Sequence, residues 1–183
     1  MTLREILQGK KEQIVARWLD EALLMYVQDA SVAFGRQKDR FANPVGHSLR
    51  EGTLVIFEAL LDWSGAEKVR QPLNEIIKIR AVQQFAPSAA LVFIFKLKKI
   101  VRGELGDKAK ETEISRELRL FEQKIDEVAL AAFDVYAECR EQVFEIRTNE
   151  MRRSVSYIVD KLNQRENGPK LVVAENENES PRA

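Results

Sequence analysis

The chain has 183 residues, a formal net charge of zero, 45% hydrophobic and 32% charged residues, and only eight Gly and five Pro. That size suits one domain with residues to spare for a tail or a projecting helix, and so little Gly and Pro favours helices over a loop-rich β fold. Balanced charge excludes a globally basic nucleic-acid binder, and the single Cys139 excludes an intrachain disulfide, a CxxC redox pair and a thiolate zinc cage.

The first stretch, MTLREILQGKKEQ, lacks a signal-peptide apolar block with a cleavage site. The most apolar run, AALVFIF, is far shorter than the ~20 residues of a membrane helix. A soluble protein without membrane insertion is expected, and its cysteine usage fits a reducing cytoplasm.

Residues 2 to 26 read as a helix. Thr2 and Glu5 have capping-box spacing, and Leu3, Ile6, Leu7, Ile14, Trp18, Ala22 and Met25 trace one face. Gly9 and the pair Lys10-Lys11 weaken it midway, which leaves room for a bend or a short first helix. Residues 27 to 43 have poor periodicity and read as a long loop with at most one helical turn. Asn43-Pro44 then starts a second helix. Val45, Leu49, Val55, Ile56, Leu60 and Trp63 follow at helical spacing, and Gly65 supplies a left-handed stop.

A third helix is expected from Pro72, with Leu73, Ile76, Ile77, Ile79, Val82 and Phe85 on a broad apolar arc. Ala86-Pro87-Ser88 is a turn, because proline disfavours helix just before it and is welcome at a helix start. The next helix spans residues 87 to 105. It is apolar nearly all round in its first half, so deep packing is expected there, and Gly106-Asp107 ends it.

From Lys110 to Leu162 there is no Pro and no Gly. Ile114, Leu118, Phe121, Ile125, Val128, Ala132, Val135 and Cys139 recur in alternating steps of four and three, with Val143 and Ile146 beyond. Such a heptad-like seam belongs to left-handed helix–helix contacts. It then skips, and Phe144, Met151, Val155, Ile158 and Leu162 continue with shifted phase. A continuous helix over this span would be roughly 80 Å long, longer than a small domain is wide. Either it breaks near 145 to 150, or its end finds a partner. Residues 163 to 183 are polar, contain Gly-Pro and read as a disordered tail. One domain over 1–162 is expected.

Few residues suggest chemistry. The sole histidine, His47, lies in the first turn of the second helix and reads as the haem ligand of a gas or redox sensor, as a phospho-acceptor, or as a partly exposed, hydrogen-bonded histidine near a helix start. No nucleophile elbow, HExxH, P-loop or Rossmann glycine pattern occurs. Cys139 falls on the apolar seam, and carboxylate pairs such as Glu138 and Glu141 read as a solvated face. No catalytic or metal-binding residue is assigned. Lys96, Lys98, Lys99 and Arg102 form a basic cluster too small for counterion-release binding, so no nucleic-acid partner is expected. Arg80 and Gln83 on a central apolar helix read either as an anion-ligand pair or as a snorkelling arginine paired with a carboxylate on a neighbouring helix.

Three blocks, RFANPVGHSLREG, IRAVQQFAPSAALVFIFKLKKI and KIDEVALAAFDVYAECREQVFEIRTNEMRRSV, resemble the N-terminal domain of RsbRD-type co-antagonists of the kinase RsbT, bacterial stressosome sensors. The likeness covers about residues 5 to 162. It implies an all-α, globin-like helical bundle with a long C-terminal helix, free of haem and homodimeric, which passes its signal through that helix to a STAS domain. Nothing long enough for a STAS domain follows Leu162. On this reading no kinase chemistry carries over, and the output is a separate, unidentified protein partner. Ala86 is a weaker cap than the Ser or Thr often found there in the family. The expected function is a non-catalytic sensor whose dimer or stalk interface is Phe121, Ile125, Val128, Ala132, Val135, Cys139 and Val143, with part of the same seam also packing on the domain's own core. A structural adaptor of a larger complex is the remaining alternative.

Overall fold

The N-terminal capping box forms as its spacing requires. The Glu5 N–H donates to Thr2 Oγ1 at 3.3 Å, and the Thr2 N–H donates to Glu5 Oε2 at 2.9 Å. It opens α1 (Leu3–Gly9), which gives way to α2 (Lys11–Val27) at Lys10, so the short first helix is the outcome. Then come α3 (Pro44–Leu61), α4 (Arg70–Val82), α5 (Pro87–Leu105) and α6 (Thr112–Glu166), with 3-10 turns at Ala66–Val69 and Gly106–Lys110. The computed structural model describes residues 1–27 and 44–166; the expected 27–43 loop lies outside them apart from its first residue, and the expected 163–183 tail lies outside them from 167 on, while its first four residues, 163–166, instead continue α6. Among the described residues the chain is all α, with no strand.

Several boundaries moved for local reasons. Helix α3 stops at Leu61, and Gly65, with φ 110°, sits in the turn beyond rather than capping the helix. Helix α4 starts ahead of Pro72, at Arg70, continuing from the 3-10 turn. Residues 145 to 150 are helical, so of the two alternatives for the long helix the break there is not the one taken.

Two units compose the chain, Met1–Val143 and Phe144–Ala183. In the first, α2 packs on α3 and α5, and α3 on α4. Trp18 stacks on Phe93 with ring centroids 6.0 Å apart, and its indole N–H donates to the Phe93 carbonyl at 2.7 Å. That bond satisfies the only donor of a fully buried indole. Phe57 meets Phe121 edge-on at 6.4 Å, which ties α3 to α6. The Glu104 side chain is almost buried and takes Lys10 Nζ at 3.1 Å and Arg17 Nη1 at 2.6 Å, so a cation at the α1–α2 corner and another on α2 neutralise one carboxylate on α5. Thr53, fully buried, returns its hydroxyl proton to the Leu49 carbonyl at 2.8 Å.

The first half of α5 is less deeply packed than its composition suggested. Ala90, Leu91, Phe93, Ile94 and Leu97 are buried, whereas Val92 and Phe95 are exposed. Val55 and Val82 are exposed as well. In each case the helix meets neighbours on only part of its circumference.

Candidate functional site

Helix α6 presents two different apolar faces. The first is the seam that the sequence offered as a dimer interface. Phe121, Ile125, Val128, Ala132, Val135 and Cys139 are all buried in the chain's own core, and only Val143 is half-exposed. This corrects the expectation. The same 4-3 spacing that serves a partner helix serves the chain's own α-helical layer, and here the layer claims it.

Polar contacts fasten this part of α6 to the rest of the first unit. Lys98 reaches Asp126 at 2.6 Å, and Arg102 grips Glu122 through two bonds of 2.5 and 2.6 Å, which raises the Arg102 pKa above its ordinary value. Tyr136 donates to the Phe85 carbonyl at 2.6 Å, and Arg140 to the Ala81 carbonyl at 3.3 Å. Arg70 pairs with Glu138 at 2.5 Å. The α4–α5 turn is thus held by the last packed turns of α6.

The other face looks outward. Numbers on α5 fall by four, from Arg102 to Lys98, as those on α6 rise by four, from Glu122 to Asp126, so the two helices run antiparallel. Continuing that register sets exposed Phe95 and Val92 alongside exposed Leu130 and Phe133. Single exposed apolar side chains are ordinary, but neighbouring ones of this size are not.

Within the second unit, Phe144, Met151 and Ile158 recur every seven residues, and Thr148, Val155 and Leu162 stand four after each. These six positions form a heptad ladder of their own. Phe144, Met151 and Ile158 are 70%, 68% and 56% exposed, and Val155 and Leu162 are open too. Sequence reasoning found most of these residues as a phase-shifted continuation but gave the interface to the earlier seam.

Arg80 and Gln83 do not come together. Arg80 is 1% exposed; its Nη1 donates to the Ala90 carbonyl at 2.7 Å and its Nη2 to the Ala22 carbonyl at 2.9 Å. Its guanidinium carbon lies 4.3 Å from the centroid of the Phe93 ring. It neither snorkels nor opens to a ligand from solvent; it ties α2, α4 and α5 from inside. Gln83 caps α4 and is exposed.

The turn beyond is a Schellman cap. The Phe85 N–H reaches back to the Arg80 carbonyl and the Gln84 N–H to the Ala81 carbonyl, both at 3.2 Å, with Gln84 at φ 62°. Glycine normally holds that left-handed position, since a Cβ there costs about 1 kcal/mol. Gln84→Gly should therefore raise stability by about 1 kcal/mol and the melting temperature by ~2–4 °C, measured by thermal unfolding followed by circular dichroism.

Cys139 donates to Asn74 Oδ1 at 3.6 Å, and burial, helped by the charge of Glu138, pushes its thiol pKa up. A buried thiol kept protonated is a poor nucleophile. Its reaction with an aromatic disulfide reagent should be slow in the folded protein and fast in denaturant; equal rates would show that this part of α6 opens freely.

His47 stands on the rim of an open cleft of about 470 Å³ between α3 and α4. Its Nε2 is 3.2 Å from Glu51 Oε1. Glu75, Gln71 and Ser48 share the lining with Val55 and Pro72. Haem needs a deep apolar slot, and an open cleft bearing two carboxylates does not fit it. Three members of the basic cluster are paired with carboxylates, Lys96 with Glu21, Lys98 with Asp126 and Arg102 with Glu122.

A comparison with family models assigns this helical chain to a family. The model of the RsbT co-antagonist protein rsbRD N-terminal domain matches residues 12–151. The chain belongs to that family. The RsbRD N-terminal family is regulatory and not catalytic. An uncharacterized protein of Archaeoglobus fulgidus is 26% identical over 143 residues, which cover 76% of this chain and 83% of that protein. No solved structure matches the chain. Among the described residues, no helix of this RsbRD-type domain is long and apolar enough to cross a membrane.

Proposed function

We propose that this chain is a non-catalytic, haem-free sensor or regulatory module that pairs with a second copy of itself and reports to a separate protein partner through α6. The observation that carries the reading is the exposed ladder from Phe144 to Leu162. This segment continues a helix already nucleated in the first unit, but most helical stability comes from packing an apolar face, and the ladder's face is exposed. A ladder with 3.5-residue spacing is built for another helix, and a second copy supplies an identical one.

The signal path follows from the fastenings. The α4–α5 turn is bonded to α6 at Tyr136 and Arg140, so a shift of α4 must drag or release those turns. Two packings of the helices then differ in what α6 offers a partner, and a ligand that prefers one shifts the population. A stressosome-type assembly in the cytoplasm is the setting this reading gives it. Light scattering after gel filtration tests the pairing: a dimer is expected at tens of micromolar, and a strict monomer there sinks it.

A further inference from the structure

We propose that the cleft between α3 and α4 binds a small organic ammonium compound, a protonated amine carried on a short apolar body. The proposal deepens the sensor reading above by naming the class of ligand, and rests on that reading only for its biological meaning.

The cleft, of about 470 Å³, falls within the usual range for small-molecule sites. Glu51 comes from α3 and Glu75 from α4, so two carboxylates face the same space from different helices. No Lys or Arg is among the described residues that line it. His47 holds Glu51 by its Nε2. Beside the acids stand Val55 and Pro72, which give an apolar wall. An ammonium group offers donors and positive charge to the carboxylates while its carbon body covers Val55 and Pro72; an anion of the same shape is repelled. A bare metal ion fits less well, because among the described residues no three His, Cys, Asp or Glu side chains gather closely enough to hold one.

The cleft's position gives such a ligand leverage. Helices α3 and α4 approach so closely at Gly52 that a Cβ there would lie 2.7 Å from Ile76 Cδ1. A cation bridging Glu51 and Glu75 would draw together two helices already in contact. Of these, α4 ends in the turn bonded to Tyr136 and Arg140 of α6.

Isothermal titration of the full chain at low salt, with benzylamine, phenethylamine and putrescine, tests the site. Benzoate and benzyl alcohol serve as matched controls. At least one amine should bind saturably, one per chain, the controls should not, and the double variant E51Q/E75Q should weaken binding about tenfold or more. Both substituted side chains are exposed, so the fold should survive. If the double variant loses its helical spectrum, E51Q and E75Q singly carry the same expectation with a smaller loss. The site is refuted if no amine saturates, if benzoate binds as well, or if the variants bind unchanged. Light scattering on the same samples separates the two readings. A dimer that ignores amines sinks the site alone, and a monomer that binds them sinks the pairing alone.

Discussion

Arg80→Ala should cost the fold about 3–5 kcal/mol and lower the melting temperature by roughly 10 °C. The truncation removes two hydrogen bonds that join the carbonyls of Ala22 and Ala90 through one planar group, and it empties the space over the Phe93 ring. The Arg80 side chain is sealed from water, so nothing cheap replaces it. Arg80→Lys makes the sharper test. It keeps the charge but loses the fork, and should still cost about 2 kcal/mol, because an ammonium on a flexible stem does not reach two carbonyls and stack at once. Urea unfolding of the three proteins measures this. A lysine variant as stable as the parent would show that charge alone matters, and an alanine variant within ~0.5 kcal/mol would remove Arg80 as the interior tie.

The double variant Met151→Glu with Ile158→Glu should halve the molar mass measured by light scattering. In a paired ladder the glutamates would stand in the seam between the two helices, and burying unpaired charge there is prohibitive. Both side chains are exposed within the chain, so the first unit should fold unharmed and keep its thermal transition. Helical circular dichroism should fall, since the second-unit segment from Phe144 to Glu166 would lose the packing that makes it worth forming. The matched change in the inner seam, Val128→Glu, should unfold the first unit outright, because Val128 is fully buried in its core. Dimerisation untouched by the outer pair of glutamates would move the interface to the face of Phe95, Leu130 and Phe133.

The two seams show where sequence reading reaches and where it stops. Both have steps of four and three, and both were visible by counting. Spacing says that a helix face wants apolar company, but it does not say whose. The seam through Phe121 and Val135 found it inside the chain, where Phe57 and the rest of the core wait. The ladder through Phe144 and Ile158 found none among the described residues. A hint was present in the off-seam residues Leu130 and Phe133, which periodicity left unexplained.

Local chemistry by itself determined a good deal. The Thr2–Glu5 capping box, the weak point at Lys10, the start at Pro87 and the end at Gly106 were all fixed by side chains within a turn of the backbone they govern. The all-α class followed from helical spacing in a chain poor in Gly and Pro. Only the tertiary structure decided that Arg80 lies buried against two carbonyls, that Gln83 is apart from it, and that Glu51 and Glu75 share a cleft. Those facts depend on groups far apart along the chain, whose meeting is set by how helices cross, and a linear pattern carries no record of the crossing.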